Sequence, residues 1–366
     1  MNTLGFDKKN EDTKVIVAMS GGVDSSVAAV MLKKAGYDVT GITLKLYSQS
    51  SPQGSKSCCA GLDIEDAKKV AAQYNFPHFT YDYQDRFFSG VINKFVETYG
   101  KGETPVPCIS CNQTVKFSDL LNEAKKNKAD ALVTGHYVRR IGDLKNSKMY
   151  KAKDLTKDQS YFLFATLKEQ LDYLRFPLGN FLKSEVRDLA KEYNLPVRDK
   201  PDSQDICFVT SNSYRDLINK LSPELNVYGN FIDMDNNIIG EHKGIANYTV
   251  GQRKGIGIGG GVKPLYVIKI DKKNNNIYLG EEKNLRKKLI HLRNINWLDN
   301  SIEKTNIRCF AKIRSTQKEK PGILKADKNI ATFEFENDIL DTSPGQACVF
   351  YQKEQVLGGG WITVNT

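Results

Sequence analysis

Residues 14–36 read KVIVAMSGGVDSSVAAVMLKKAG. The opening run, Val15-Ile16-Val17-Ala18-Met19, is short and apolar without alternation, the pattern of a strand buried on both faces. Ser25 to Ala35 has helical spacing and stops at Gly36, a residue suited to the left-handed turn after a helix. Between them stands Ser20-Gly21-Gly22-Val23-Asp24-Ser25-Ser26. Two glycines let the backbone turn tightly and present bare N–H groups. The three serines add hydroxyl donors, and the helix that follows adds its positive end, so the segment predicts an anion cradle. Neither GxxxxGK[ST] nor GxGxxG is present. The acidic Asp24 would repel a phosphate unless a divalent cation lies between them, which implies Mg²⁺. A Gly-Gly turn capped by serine is the plain structural alternative, and the flanking strand and helix weigh against it.

Working outward, strand and helix patterns alternate over the first 200 residues. Val39 to Leu46 predicts a strand, Asp63 to about Asn75 a helix, Pro77 to Tyr81 a strand and Phe87 to Tyr99 a helix. Asn112 to Lys126 predicts another helix, with Asn112 as its cap, and Ala131 to Thr134 another strand. This order implies a doubly wound parallel α/β sheet covered on both faces, with ligands at the carboxyl ends of its strands. After about residue 208 helical periodicity fades. Short alternating runs follow at Asn230–Met234, Leu265–Ile270 and Ile277–Leu279, with Asp271–Asn276 as a hairpin turn. From about residue 286 a second all-β unit runs to Trp361-Ile362-Thr363-Val364.

The chain of 366 residues is long enough for two or three domains at about 150 residues each. With 40% hydrophobic and 26% charged residues it is neither disordered nor fibrous. No apolar run is long enough for a membrane-spanning helix. The polar start, Met1 to Lys14, is unlike a secretory signal, so a cytoplasmic location is expected. The net charge of +10 leans toward a polyanionic partner. Seven cysteines in a reducing compartment are buried filler, metal ligands or reactive thiols.

Two cysteine segments stand out: Thr104-Pro105-Val106-Pro107-Cys108-Ile109-Ser110-Cys111-Asn112 and Asp202-Ser203-Gln204-Asp205-Ile206-Cys207-Phe208. The prolines of the first make a rigid extended entry. Both fall where loops leave the end of a sheet, and such loops gather on one rim. A persulfide sulfur is a stronger nucleophile than a thiol, and a second cysteine can expel it by forming a disulfide. Cys58, Cys59, Cys309 and Cys348 read as small buried hydrophobes.

The loop at 20–26 resembles the SGGxDS pyrophosphate loop of the ATP-pyrophosphatase (PP-loop) superfamily, whose members transfer AMP from ATP to an oxygen and release pyrophosphate. Further segments narrow the resemblance to the tRNA-specific 2-thiouridylase family: Pro107 to Asn112, Thr134-Gly135-His136-Tyr137, Lys157-Asp158-Gln159-Ser160-Tyr161-Phe162-Leu163, Pro201 to Phe208, Gly251-Gln252-Arg253-Lys254-Gly255 and Ser343-Pro344-Gly345-Gln346. Together they run from about residue 14 to 363. The resemblance implies a PP-loop domain over 1–208, a small central β-rich domain over 209–285 and a C-terminal, tRNA-contacting β-barrel over 286–366.

It also implies the chemistry. ATP on Ala18, Ser20, Gly21, Gly22, Val23, Asp24, Ser25, Leu44 and Gly135 would adenylate O2 of the wobble uridine, position 34, of tRNA. Cys207 would carry the persulfide and attack C2, and Cys111 would form a disulfide with Cys207 as sulfur is released. Val106, Pro107 and Cys108 match the segment that faces the target base. Contacts to tRNA are implied at His136, Lys157, Asp158, Gln159, Arg314, Ser315 and Gln346. A sulfur-donor protein, a cysteine desulfurase or a relay protein, is the implied second partner, no membrane partner is expected, and the chain is expected to act as a monomer. Cys108 stands where many members carry an acid–base Asp, and a thiol does not replace that group. Cys108, Cys111 and Cys207 also make a three-thiolate set, so an iron–sulfur cluster is the alternative cofactor.

Three basic or glycine-rich stretches remain. Ile307 to Arg314 alternates strictly, with Arg308, Phe310, Lys312 and Arg314 on one face, which suits RNA or a solvated surface equally. Arg286-Lys287-Lys288 reads as a charged surface turn, and Gly255 to Gly261 as a loop near RNA.

Overall fold

The computed structural model describes residues 1–47, 61–202, 206–209, 213–258, 264–299, 304–340 and 342–363. In chain order its first strands are β1 (Lys14–Ala18), β2 (Asp38–Lys45), β3 (His78–Asp82), β4 (Ala131–Thr134), β5 (Val138–Ile141), β6 (Lys148–Lys151) and β7 (Leu174–Arg175). Five of them form a parallel sheet in the order β3-β2-β1-β4-β7. The apolar runs alternate across it. Val15 and Val17 join one buried cluster with helix α1 (Val23–Lys34) and the helix Lys183–Glu192. Ile16, Ile42 and Leu132 join a second, built with the helical stretches on the opposite face. Burial on both faces is why these strands lack a polar alternation.

The order reverses at β1: β2 lies on one side and β4 on the other. A crevice opens at such a switch point beyond the carboxyl ends of the strands. The loop after β1 and the turn after β4 therefore meet there.

The helix expected over 87–99 begins at Gln84 and contains a π-helical stretch, Phe88–Ile92, between the α-helical stretches Gln84–Phe87 and Asn93–Gly100. The helix expected from Asn112 begins at Pro107, where proline fits the first turn. It runs through a π-helical stretch, Asn112–Asp119, to Lys126. Asn112 is thus inside the helix and does not cap it. Its side-chain amide donates to the Phe162 carbonyl, 3.2 Å away. The two helices lie close where Gly90 faces Thr114.

Beyond residue 208 the loss of helical pattern is incomplete, because Tyr214–Leu221 is a helix whose N-cap, Ser213, accepts from the Arg215 N–H. The central sheet follows: β8 (Gly229–Ile232), β9 (Ile238–His242), β10 (Tyr266–Asp271) and β11 (Asn276–Gly280), ordered β10-β11-β8-β9. The turn expected at 271–276 joins β10 to β11, with Asn275 at φ 51°.

The last strands are β12 (Lys287–Trp297), β13 (Lys304–Lys312), β14 (Lys320–Asp327), β15 (Ile330–Ile339), β16 (Ala347–Gln352) and β17 (Gln355–Thr363). They pair antiparallel in the order β12-β15-β14-β13-β16-β17, and β12 pairs β17 to close a barrel. Lys287 and Lys288 open β12 and are not a surface turn. Strand β13 ends at Lys312, so Arg314 lies past the strand, although the alternation of burial continues through Ile313, buried, and Arg314, half-buried. Within β13, Arg308 and Phe310 face out while Cys309 and Ala311 are buried. Cys309 and Cys348 fill the barrel core, and burial pushes the Cys309 thiol up to about 12. Cys58 and Cys59 lie outside the described residues, as do Gly259 to Gly261.

The hairpin β5–β6 departs from the expected alternation. It leaves the nucleotide-type sheet and continues the barrel sheet through the pair Gln355↔Tyr150. The first and last domains are therefore sewn together by hydrogen bonds. Among the described residues no helix is long and apolar enough to cross a membrane.

Candidate active site

The loop after β1 is shaped by its glycines. Gly21 has φ +70°, and a Cβ there would meet the Asp63 carbonyl oxygen at 2.1 Å. Gly22 caps α1 with extended backbone. The Ser20 N–H donates to Ser25 Oγ at 3.1 Å, and Ser26 Oγ donates to the Gly22 carbonyl at 2.8 Å. Across the crevice, Gly135 follows β4. A Cβ on it would stand 2.8 Å from the Ser25 nitrogen, so only glycine lets the β4 turn approach the first turn of α1 this closely. Leu44 is buried in the apolar cluster against which Ala18, at the end of β1, also packs.

Two lysines reach this loop from distant segments. Lys183 Nζ lies 2.7 and 2.8 Å from the two Asp24 carboxylate oxygens, and the Tyr137 hydroxyl donates to the same carboxylate at 2.8 Å. Asp24 is therefore neutralised by the protein itself, and the repulsion inferred from the loop alone does not arise. Lys200 Nζ donates to the Gly21 carbonyl at 3.0 Å and pairs with Asp63 and, at 2.8 Å, with Asp66.

Lys183 also pairs with Asp202 at 2.9 Å, and Asp202 receives Lys157 at 2.9 Å and Arg187 at 2.6 Å. Burial raises the Asp202 pKa, but hydrogen bonds from Lys157 and Lys183 outweigh it and hold the carboxyl well below the usual range. One end of the Cys207 segment is thus tied through Lys183 to the loop at 20–26.

Aromatic packing fixes its other end. The Phe208 ring stands edge-on to Phe87 at 5.8 Å and to Phe95 at 5.3 Å. The Tyr47 hydroxyl donates to the Cys207 carbonyl at 3.1 Å. Cys207 is half-buried against the apolar cluster that contains Cys111, and Val106 and Ile206 border the same cluster. Cys111 is a member of this cluster and Cys207 packs against it; the cluster also extends into the barrel through Val349 and Val356. Cys108 is exposed in the first turn of the helix that starts at Pro107. Among the described residues no three His, Cys, Asp or Glu side chains converge so as to hold a metal ion.

The residues expected to touch tRNA fall into two groups. Asp158 accepts from the Ala152 and Ser160 N–H groups and the Ser160 hydroxyl, and Gln159 accepts from the Tyr137 N–H at 2.8 Å. Gln159 thus braces the turn after β4, and Asp158 ties its own turn to Ala152, just past the end of β6. His136 bonds Thr134 Oγ1 through Nδ1 at 2.9 Å and meets Phe117 edge-on. Burial first, and Lys116 second, push its pKa down to about 3, so the ring is neutral. Arg314, Ser315 and Gln346 are together on the barrel: Arg314 donates to Ser343, and the Ile362 N–H donates to the Gln346 carbonyl at 2.8 Å. Ser203, Gln204 and Asp205 lie outside the described residues.

Sequence reasoning singled out neither Lys183, Lys200 nor Arg187, which sit in no motif. Tyr137 and Asp202 stand inside quoted motifs, and that position was the available signal.

A parallel sheet with a serine- and glycine-rich loop at its switch point defines an α/β nucleotide-binding domain. In agreement, the family described as "tRNA methyl transferase HUP domain" matches residues 13–211, a "tRNA methyl transferase PRC-barrel domain" matches 215–281, and an "Aminomethyltransferase beta-barrel domain" matches 287–362. The chain is 48% identical to a protein of Paracoccus denitrificans named "tRNA-specific 2-thiouridylase MnmA", over 99% of this chain and 95% of that one. Proteins of the same name from Rhizobium meliloti and Anaplasma marginale are also 48% identical, over 99% of this chain and 94% of theirs. The chain belongs to the tRNA-specific 2-thiouridylase family.

Proposed function

We propose that this chain is an ATP-dependent sulfurtransferase that converts uridine in tRNA to 2-thiouridine, acting at the wobble position, 34. The observation that carries the reading is the Lys183 bridge: one ammonium touches both Asp24 of the loop at 20–26 and Asp202, which leads to Cys207. The loop proposed to hold the nucleotide and the first residue of the Cys207 segment thus share one cation. Residues 1–208 form the catalytic domain in this reading, 209–285 the central domain and 286–366 the barrel.

The N–H groups and hydroxyls of Ser20, Gly21, Gly22, Val23 and Ser25 hold the triphosphate, with Asp24 and its lysine beside them. Ala18, Leu44 and Gly135 line the nucleoside end. A Mg²⁺ ion would be held chiefly by ATP phosphates, with Asp24 of the loop as a candidate protein carboxylate beside it. Such an ion, when bound, would neutralise phosphate charge.

The uridine, splayed from its loop, enters beside Val106, Pro107 and Cys108. Its O2 attacks the α-phosphorus, pyrophosphate leaves, and O2 carries AMP. The terminal sulfur of a Cys207 persulfide attacks C2. The Cys111 thiolate then attacks Cys207 Sγ, the S–S bond of the persulfide breaks, and a Cys111–Cys207 disulfide forms. The transferred sulfur stays on C2 as AMP departs with the original oxygen. The two cysteines supply the electron pair that reduces the sulfane sulfur, and an external thiol regenerates them. His136, being neutral, serves as a hydrogen-bonding group and not as a cation. Lys157, Asp158, Gln159, Arg314, Ser315 and Gln346 belong to the tRNA-facing side, with Asp158 and Gln159 bracing it. A sulfur-donor protein loads Cys207, and the enzyme works as a cytoplasmic monomer.

The test is nucleoside mass spectrometry of tRNA after incubation with ATP, Mg²⁺ and a sulfur donor. The expected result is uridine gaining the mass of one oxygen-to-sulfur exchange, lost with Cys207→Ser. Unmodified tRNA, with pyrophosphate release driven by another acceptor, would assign the chain to a different adenylating reaction.

A further inference from the structure

Residues 100–104, just upstream of the Pro105–Cys111 segment, are gripped from three sides. The helix Asn93–Gly100 ends here, and the Glu103 N–H donates to the Thr98 carbonyl at 3.1 Å. The central domain presses from a second side. A Cβ on Gly100 would meet Leu225 at 3.1 Å, and one on Gly102, φ +73°, would meet Ile270 at 2.7 Å.

The barrel closes the third side. The Thr104 N–H donates to the Pro344 carbonyl at 2.7 Å, and one Arg293 nitrogen lies 2.7 Å from both Glu103 carboxylate oxygens. Gly345, φ +85°, sits so close that a Cβ would stand 2.9 Å from Glu103 Cβ and from the Thr104 nitrogen and oxygen. The Gly345 loop is itself stitched to β17, since the Gly345 N–H donates to the Ile362 carbonyl at 2.9 Å.

We propose that Glu103 and Arg293 are positioning residues, a clamp through which the barrel sets where the Pro105–Cys111 segment, and hence Cys111, stands in the active site. The inference rests on the thiolation reading above but names a device that reading does not require. Arg293 is half exposed while Glu103 is largely shielded, so the carboxylate is held at a fixed place on the segment and the arginine reaches it from the barrel. Pro105 and Pro107 stiffen the span between clamp and helix, so a displacement at Thr104 is transmitted and not absorbed. The Cys111 side chain is at the far end of that lever, and a misplacement of an ångström costs reaction rate steeply.

The experiment compares the full-length wild type with Glu103→Gln, Arg293→Gln and the charge-swapped pair Glu103→Arg with Arg293→Glu. Each is assayed for thiolation, and for the rate at which iodoacetamide labels Cys111 under reducing conditions, read by peptide mass spectrometry. The single variants should lower kcat for thiolation about tenfold with KM for ATP unchanged. Labelling of the buried Cys111 should quicken about fivefold as the segment opens more often. The swapped pair should recover most of both. Single variants with wild-type kcat and wild-type labelling overturn the clamp. So does a fall in kcat with unchanged labelling and no recovery in the swap. A wild type that makes no 2-thiouridine overturns the functional reading instead, while the labelling rates still decide the clamp.

Discussion

Lys183 begins a helix far from the loop it serves, yet its ammonium holds Asp24 and Asp202 at once. Replacing it with alanine leaves two carboxylates side by side and partly shielded from water. Lys183→Ala should lower stability by roughly 2 kcal/mol, read by chemical denaturation. AMP release with tRNA present should fall about 10²-fold, because a fixed cation is lost where charge develops on phosphate. His136 supplies a pH signature. Its folded pKa of about 3 lies below the usual imidazole value, so between about pH 3 and 6.5 the unfolded chain binds more protons. Its contribution to stability is present above pH 6.5 and is lost as pH falls. His136→Asn should therefore make the unfolding free energy shallower in that window by up to about 1.4 kcal/mol per pH unit, leaving the slope above pH 7 unchanged. His78 and His242, also lowered by burial, keep part of the slope.

At the scale of elements, what is local is legible and what is long-range is not. The strand–loop–helix unit at 14–36 is legible because its apolar run, its glycines and its cap lie in one continuous stretch. So is the turn at 271–276, because a left-handed Asn and an Asx-type bond at Asp271 are local devices. The start at Pro107 was within reach, since proline suits a first helical turn, but Asn112 is an equally good cap by type and only packing excludes it. The pairing of β5–β6 with β17 has no signature, because any alternating hairpin edge can join any open edge. The same holds for the site: Ser20 to Ser25, Cys111 and Cys207 stand in motifs, whereas Lys183 and Lys200 acquire their partners only when the fold is complete. The Phe208 turn belongs to this scale as well. Phe208→Ala removes a ring wedged between Phe87 and Phe95 and should cost about 3 kcal/mol by denaturation. Thiolation should fall with it, since the neighbouring Cys207 loses its anchor.

Across the whole molecule the barrel and the nucleotide-type domain share a core. Ala347, Val349, Tyr351 and Val356 of the barrel pack in the same apolar cluster as Ile16 and Phe95. The Tyr161 hydroxyl donates to the Ala347 carbonyl at 3.0 Å and the Asn296 amide to the Phe164 carbonyl at 2.7 Å. Inter-domain contacts within a chain are usually looser and more polar than this. Calorimetric unfolding should therefore show the barrel and the first domain melting in one transition. Two transitions, with the barrel lost first and the sheet intact, would contradict a shared core.

In the proposed reaction Cys111 and Cys207 act together on one adenylated uridine. Peptide mapping of disulfides after a single turnover of Cys207-persulfidated enzyme with ATP and tRNA decides this. A Cys111–Cys207 linked peptide should accumulate in step with 2-thiouridine. Thiolated product forming with no such link, at an undiminished rate in Cys111→Ser, would contradict it.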